Sequence, residues 1–344
     1  MARTARGIQT LSPGVYMASI SDGYFKTELE TRQRRLTSAM KSSPSNELTN
    51  LLAEVDSALD RLTVGTFGIC EICHDTVEFD RLTADPLIRF CLDHLSTKER
   101  RALEQDVETA ASIQRSLLPP AEIRSSGWHF HYRYKPAGVV SGDYCDVIES
   151  SNGDGAVVFL LGDVTGKGLS ASMLMAHLHA MFRSLIPLER PIAQVLGLAN
   201  RLFCESTISG LYATLVCGRA SQNGDVEIGS AGHPPVWVTG GMNAKFIDAT
   251  GLPLGMFSSA TYTTETLRLE PAQSLVLYTD GLSESRDADG IEYGERRLRE
   301  FVESQYHLNP VEFLAAFLND LQTHSADGQP ADDLTLMVIR RLDP

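Results

Sequence analysis

The feature that most constrains the fold is a series of short apolar runs in the second half of the chain. From Trp128 onward, β-rich runs alternate with turns that contain glycine and aspartate: HFHYRY, AVVFLLGDV, YATLVCGRA, VEIGSAG, PVWVTG, QSLVLYTDG and LTLMVIRR. Helical patterns interrupt them at 169–185, 191–206 and 310–324. Because strands outnumber helices and hairpin spacings are common, we predict two stacked, mostly antiparallel sheets with helices outside.

Length and charge narrow the class of protein. The chain has 344 residues, which suits two domains, and its net charge of −14 disfavours nonspecific nucleic-acid binding, which depends on cationic phosphate contacts. No apolar run approaches the roughly 20 residues of a membrane span, and the N-terminus lacks the apolar region of a secretory signal. We therefore expect a cytoplasmic protein with no nucleic-acid or membrane partner.

A cysteine and histidine pattern in the first half predicts a structural zinc site. Cys70-x2-Cys73 is followed after 17 residues by Cys91-x2-His94. Each pair forms a turn whose two side chains converge on one tetrahedral ion, and two pairs complete a closed shell. His74 competes as a ligand on paper, but it is adjacent to Cys73 and fits that turn less well. Paired disulfides are disfavoured in the cytosol.

Helical patterns surround this site. In NELTNLLAEVDSALDRL the apolar residues step by four and three, as in a coiled-coil seam, and a similar rhythm lies upstream of KSSPSN. We predict an antiparallel helical hairpin over residues 21–63. A further seam-patterned helix over 99–120 ends at a Pro-Pro pair; it would pack on the hairpin or pair two chains into a homodimer. We also expect this helix to couple the zinc module to the Asp163 turn of the second half.

The phrases GTFGICEIC and IRFCLDH resemble the TraR/DksA zinc-finger family over roughly residues 20–98. That resemblance implies a hairpin that inserts into RNA polymerase and acts through acidic residues at its tip. Here the tip reads SSPSN and contains no aspartate. The sequence therefore disfavours RNA polymerase as a partner, and the module is expected to be a scaffold or sensor.

Aspartates mark the ends of several predicted strands. They occur in VVSGDYCD, LLGDVTGKG, LVLYTDGLSE and QPADDLTLMV, and any one alone would be read as a turn residue. Their convergence would require hard divalent cations such as Mg²⁺ or Mn²⁺, because clustered carboxylates repel one another. The loop GDVTGKG does not match the phosphate-binding G-x4-G-K-[ST] pattern, since its spacing is one residue short and Gly168 replaces the hydroxyl residue.

The motifs IQRSLLPP, SGDYCDV, GDVTGKGLSASMLMA, SAGHPPVWV, GLPLGM, YTDGLSESRDADGIEYG and DDLTLMVIR follow one another from about residue 111 to 341. This series resembles the metal-dependent serine/threonine phosphatases of type 2C, and specifically their bacterial SpoIIE/RsbU branch. The resemblance implies an αββα sandwich of two antiparallel sheets flanked by helices. It also implies hydrolysis of phosphoserine or phosphothreonine on a regulatory protein, of the anti-anti-sigma STAS type, with two Mn²⁺ or Mg²⁺ ions.

The same resemblance implies roles for individual residues. Asp163 would bridge the two ions with the carbonyl of Val164, Asp143 would support one ion directly or through water, and Asp280 and Asp332 would hold the other. Asp333 and the less certain Asp146 would lie in a second layer around the ions. His233 is open between a structural histidine in a tight turn and a general acid.

The predicted protein is thus of the α+β class. It has an extension over 1–20, a helical hairpin with a zinc finger over 21–98, a linker helix over 99–120 and a phosphatase domain over 121–344. The alternative is a noncatalytic, DksA-like regulator that binds RNA polymerase and whose second half only senses. The full set of strand-end aspartates favours the phosphatase.

Overall fold

The computed structural model describes residues 13–42, 44–95, 97–150, 152–208, 210–240, 245–325 and 332–343. Residues 1–12 of the predicted extension and Ser43 of the predicted hairpin tip lie outside them. The chain divides into two compact units, Met1–Glu104 and Gln105–Pro344. No helix in the described ranges combines the length and the apolar character needed to cross a bilayer.

The first unit is built on helices α1 (Pro13–Ser42), α2 (Asn46–Val64) and the short α3 (Phe79–Ala84). The side chain of Ser45 caps α2 by accepting a hydrogen bond from the Leu48 amide at 3.2 Å, and α2 ends at a left-handed glycine. α1 and α2 pack on each other around the buried residues Leu29, Val55 and Ala58. The first helix begins eight residues earlier than the hairpin predicted from the sequence; its supercoiling stays a prediction.

The second unit contains two antiparallel sheets. Their strands are β1 (Glu122–Ser125), β2 (Trp128–Lys135), β3 (Tyr144–Glu149), β4 (Val157–Val164), β5 (Ala213–Ala220), β6 (Asp225–Ala231), β7 (Val236–Thr239), β8 (Lys245–Ile247), β9 (Glu265–Arg268), β10 (Ser274–Tyr278) and β11 (Leu334–Arg341). One sheet has the order β1-β2-β11-β10-β7-β8 and the other β3-β4-β5-β6-β9. All seven runs singled out in the sequence overlap strands.

The remaining helices are α4 (Thr97–Leu117), which contains the boundary between the units, α5 (Gly168–Leu185), α6 (Ile192–Ser206), α7 (Asp280–Ser283), α8 (Gly294–Gln305) and α9 (Pro310–His324). Of these, α5 and α6 cover the outer face of one sheet, and α8 and α9 cover that of the other. The predicted helices at 169–185, 191–206 and 310–324 correspond to α5, α6 and α9. α8 was not predicted, because only Leu298 and Val302 of this highly charged helix are buried.

Three apolar layers hold the second unit together. Along β4, Phe159 and Leu161 point between the two sheets, while Val158 and Leu160 point toward α5 and α6, as strand alternation requires. A third layer, which includes Phe317 of α9, lies between the other sheet and helices α8 and α9. The predicted αββα sandwich is therefore confirmed.

The C-terminal end of α4 belongs to this second unit. Ala111 and Gln114 are buried, and Leu117 and Leu118 pack against the apolar layers of the sandwich. From Ala111 onward, the residues of the predicted seam therefore pack against the sandwich of the same chain.

Candidate metal centre and the cysteine and histidine cluster

Four of the predicted aspartates lie at one end of the sandwich. Asp163 is the penultimate residue of β4, and Asp143 directly precedes β3, which pairs antiparallel with β4. Asp280 opens α7 just after β10, and Asp332 lies just before β11, which pairs antiparallel with β10. Because antiparallel neighbours bring the end of one strand beside the start of the next, each sheet contributes two carboxylates to the same edge.

Two glycines allow the backbone segments to approach closely. A Cβ atom at Gly142 would lie 3.0 Å from the Val164 carbonyl oxygen and 3.5 Å from Asp163 Oδ1. A Cβ atom at Gly281 would collide with the carbonyl oxygen of Asp333. Larger residues at these positions would therefore push the aspartate-bearing segments apart.

Asp143 is the most deeply buried of these carboxylates. Its Oδ2 accepts hydrogen bonds from the hydroxyls of Thr279, at 3.0 Å, and Thr335. Its Oδ1 is buried and has no hydrogen-bond partner among the described residues. Burial, and next the charge of Asp163, raises the pKa of Asp143 well above its ordinary value. A buried carboxylate with one oxygen held and the other open is a suitable ligand for a cation or its water.

Mutual repulsion is evident at Asp163 and Asp280. Burial, followed by the charges of Asp280 and Asp332, raises the pKa of Asp163 to about 7. Burial, followed by the charge of Asp332, also raises the pKa of Asp280. A hard divalent cation removes this repulsion and takes oxygen ligands, so the donor set fits Mg²⁺ or Mn²⁺.

The two adjacent aspartates before β11 have separate contacts. Asp333 accepts hydrogen bonds from the Ala137 amide at 2.8 Å and the Gly142 amide at 2.7 Å, and so fixes the loop that carries Asp143. Asp332 Oδ2 lies 2.9 Å from Nζ of Lys167. Asp333 is thus placed to support the cluster through the backbone, whereas Asp332 faces the ammonium group of Lys167.

Asp146 needs a correction, because its carboxylate is held elsewhere. Arg183 of α5 binds it with two hydrogen bonds of 2.6 and 2.7 Å. Asp146 lies in β3 at a position that points toward the helices, as its neighbours Tyr144 and Ile148 do. Strand alternation turns its side chain away from the space between the sheets, and it supports packing instead.

His233 is buried, and burial lowers its pKa to about 3. Its Nδ1 lies 2.9 Å from the hydroxyl of Thr214, which pairs with Asp163 in the β4–β5 ladder. A buried imidazole with this lowered pKa stays neutral near pH 7 and carries only a very weakly acidic N–H, so it is a poor general acid. This geometry favours the structural interpretation.

Sequence reasoning missed three side chains that position the centre. Thr279 and Thr335 orient Asp143, and the only sequence signal was their closeness to Asp280 and Asp333. Gln114, a polar residue at an apolar seam position, is bound to the main chain of Ser141.

A separate cluster in the first unit brings together Cys70, Cys73, Cys91 and His94. Their ligand atoms all lie within 4.8 Å of one another. The Cys73 and Cys91 sulfurs are 3.7 Å apart, and Cys91 Sγ is 3.3 Å from His94 Nδ1. A tetrahedral site with Zn–S bonds of about 2.3 Å has S–S edges of about 3.8 Å, so the arrangement suits zinc. His74 is not part of this set.

Most of the second unit matches a known protein family, and the chain is similar to known proteins. The family described as Stage II sporulation protein E (SpoIIE) matches residues 153–342, more than half of the chain. Protein IcfG of Synechocystis sp. is 26% identical over 269 residues, which is 69% of this chain but 41% of IcfG. The phosphoserine phosphatase RsbU of Bacillus subtilis is 26% identical over 247 residues, 70% of this chain and 72% of RsbU.

A solved structure has the same fold. The SiaA-PP2C domain of Pseudomonas aeruginosa superposes with a TM-score of 0.63 at 18% identity, and the match covers 72% of this chain and all of that domain. The chain therefore belongs to the family described as Stage II sporulation protein E (SpoIIE), and its second unit has the fold of the SiaA-PP2C domain.

Proposed function

We propose that this chain is a metal-dependent phosphatase that hydrolyses phosphoserine or phosphothreonine on a regulatory protein. The observation that carries the proposal is the convergence of Asp143, Asp163, Asp280 and Asp332 at one end of the sandwich, together with the open, buried Oδ1 of Asp143. The DksA-like alternative has less support, because it gives no reason for the cost of burying mutually repelling carboxylates in the second unit.

The four carboxylates and the Val164 carbonyl would hold two Mn²⁺ or Mg²⁺ ions. Bound there, the ions would lower the pKa of water and neutralise charge on the phosphoryl oxygens. The charges of Asp280 and Asp332 both raise the pKa of Asp163, and the charge of Asp163 raises the pKa of Asp143, so Asp163 would be the carboxylate shared by the two ions. Thr279 and Thr335 fix the rotamer of Asp143 and leave its second oxygen for the ion or its water.

The proposed substrate is a phosphorylated anti-anti-sigma protein of the STAS type. This proposal rests on the branch resemblance and on RsbU, which is named a phosphoserine phosphatase. The cluster lies at the edge of the sandwich and Asp332 is partly exposed, so a phosphoserine on a protein surface could reach it.

The test is manganese-dependent hydrolysis of a phosphoserine STAS protein by the wild type and by Asp163→Asn. We expect the substitution to lower kcat by about three orders of magnitude or more, because it removes the central ligand. Asp225→Asn, which changes an aspartate paired with Arg268 at the far end of β6, should retain wild-type activity. Equal rates for the wild type and Asp163→Asn would refute catalysis at this centre.

In the first unit we propose a structural zinc ion bound by Cys70, Cys73, Cys91 and His94, in a TraR/DksA-like module. The proposal is supported by ligand distances that match a tetrahedral site. All four positions are taken by protein ligands, so this zinc would stabilise structure. RNA polymerase is not proposed as a partner, and the cytoplasmic location stays a prediction from the sequence.

We further propose that α4 transmits the state of this module to the metal centre. Gln114 Nε2 donates to the Ser141 carbonyl at 2.6 Å, and the Ser141 amide donates to Gln114 Oε1 at 3.0 Å. The Ser141 hydroxyl in turn accepts from the Asp143 amide at 3.1 Å. A shift of α4 would therefore move the loop that carries Asp143, which is a more direct route than the Asp163 turn expected from the sequence. A homodimer through the helices around α4 stays a proposal.

Gln114→Met keeps the length of the side chain and removes both hydrogen bonds to Ser141. We expect the full-length variant to bind Mn²⁺ a few-fold more weakly, since each neutral hydrogen bond contributes about 1 kcal/mol. Isothermal titration with Mn²⁺ measures this change, and Gln105→Met on the same helix is the matched control. Unchanged affinity in Gln114→Met would exclude this route.

A further inference from the structure

Lys167 occupies a defined position in the turn that follows Asp163. It lies in extended backbone, directly before α5, between Gly166 (φ 99°) and Gly168 (φ 71°). Positive φ angles favour glycine, and the two glycines let the chain turn sharply on either side of Lys167. This turn places Lys167 next to the cluster. Its Nζ lies 2.9 Å from Asp332 Oδ2.

This ion pair contributes little to the stability of the fold. The Lys167 side chain is 63% exposed and that of Asp332 is 38% exposed. Exposed ion pairs are screened by water and lose side-chain entropy when they form. A role in the chemistry of the site explains the placement of Lys167 better than a role in folding does.

The position of the ammonium group implies competition with a divalent cation. Asp332 Oδ2, which Lys167 contacts, belongs to one of the carboxylates proposed to bind metal. Two cations repel each other strongly at contact distance, so Lys167 and a divalent ion cannot share that oxygen at full strength. Once the ion binds Asp332, the ammonium must turn to another anion at the edge of the site.

We propose that Lys167 exchanges Asp332 for a phosphoryl oxygen of the substrate, and so acts both as a competitor of the metal and as a phosphate-binding group. This inference rests on the proposed phosphatase function. The four-carbon stem gives the ammonium reach, and its exposure leaves it accessible to a phosphoserine on another protein. Besides the ions, the ammonium would offset the repulsion between the phosphate dianion and the partly exposed Asp332 carboxylate.

The test uses the full-length protein with Lys167→Met, which keeps the stem and removes the charge, and Lys167→Arg, which keeps the charge. Lys167→Met should bind Mn²⁺ about two- to fivefold more tightly by isothermal titration, because the competing cation is gone. The same variant should have a KM for the phosphoserine protein, and a Ki for inorganic phosphate, raised about tenfold. Lys167→Arg should restore both KM and Ki toward wild-type values.

Lys245→Met, a change in an exposed lysine of β8, is the matched control and should leave all three quantities unchanged. Unchanged Mn²⁺ affinity in Lys167→Met would overturn the competition, and unchanged KM and Ki would overturn the phosphate contact; either result refutes the exchange. The Mn²⁺ titration measures binding alone and does not depend on catalytic activity. An inactive wild type with tighter Mn²⁺ binding by Lys167→Met would therefore count against the phosphatase function and not against the competition.

Discussion

The two candidate metal sites of this chain are assembled in opposite ways. The cysteine and histidine cluster takes its ligands from 25 consecutive residues, Cys70 to His94, and its donor atoms lie within 4.8 Å of one another. The carboxylate centre takes its ligands from Asp143 to Asp332, so almost the whole sandwich must fold before they meet. Soft thiolates close the first site, whereas hard oxygens leave the second open to water and substrate. We therefore expect the cysteine and histidine site to stabilise the fold of the first unit. The carboxylate centre, in contrast, can form only after the sandwich has folded.

The largest effect should follow disruption of the local site. Cys70→Ser removes a buried ligand, and the bound zinc should fall from about one ion per chain to none, with loss of helical structure in the first unit. Zinc is measured by atomic emission and helicity by circular dichroism, with Cys204→Ser as the control. Mn²⁺ binding by the second unit should survive. Wild-type protein purified without bound zinc would contradict the proposed zinc site.

A smaller effect should follow from loosening a carboxylate without removing it. Thr335→Val keeps the shape of the side chain but takes one hydroxyl from Asp143 Oδ2. Outer-layer partners of metal ligands typically contribute 10–100-fold in affinity or activity, so we expect kcat to fall by about that factor. Thr335→Ser, which keeps the hydroxyl, should stay near the wild type in the same assay. Full activity in Thr335→Val would mean that the orientation of Asp143 is unimportant.

The smallest effect concerns stability against pH. The pKa of Asp163 is raised to about 7 in the folded chain, from an ordinary 3.8, so its protonated form is favoured by folding. The contribution of protonated Asp163 to the free energy of unfolding is therefore fully present below about pH 4, and it is lost as the pH rises to about 7. With divalent ions chelated by EGTA, the melting temperature of the wild type relative to Asp163→Asn should fall by roughly 5 °C between pH 5 and 7.5.

Added Mn²⁺ should cancel this fall, because the ion binds the deprotonated carboxylates of the folded state. Differential scanning calorimetry with and without the ion makes the measurement. A wild type and Asp163→Asn with parallel pH profiles would show that the carboxylates are not strained by their proximity.

Sequence patterns predicted the parts of this molecule that depend on short-range periodicity. The buried strands β4, β5 and β11 follow from long apolar runs, and the cluster of cysteines and a histidine follows from spacing. The edge strands β1, β8 and β9 have three or four residues and largely exposed faces, so they carry no comparable signal.

The details of the carboxylate centre depend on contacts that spacing does not encode. Thr279 and Asp143 are 136 residues apart, and only the pairing of β10 with β11 and the stacking of the sheets bring them together. The family resemblance placed Asp146, as the less certain carboxylate, in a second layer around the ions. Its position in β3 sends its side chain to Arg183 on the other face.

We propose above all that the four strand-end aspartates form one divalent-metal centre in which Asp163 is the shared ligand. The most direct measurement is titration of the zinc-loaded chain with Mn²⁺, followed by isothermal calorimetry and electron paramagnetic resonance. We expect about two ions per wild-type chain with spin coupling between them, and loss of both the second ion and the coupling in Asp163→Asn. Identical stoichiometry and spectra for the two proteins would contradict the claim.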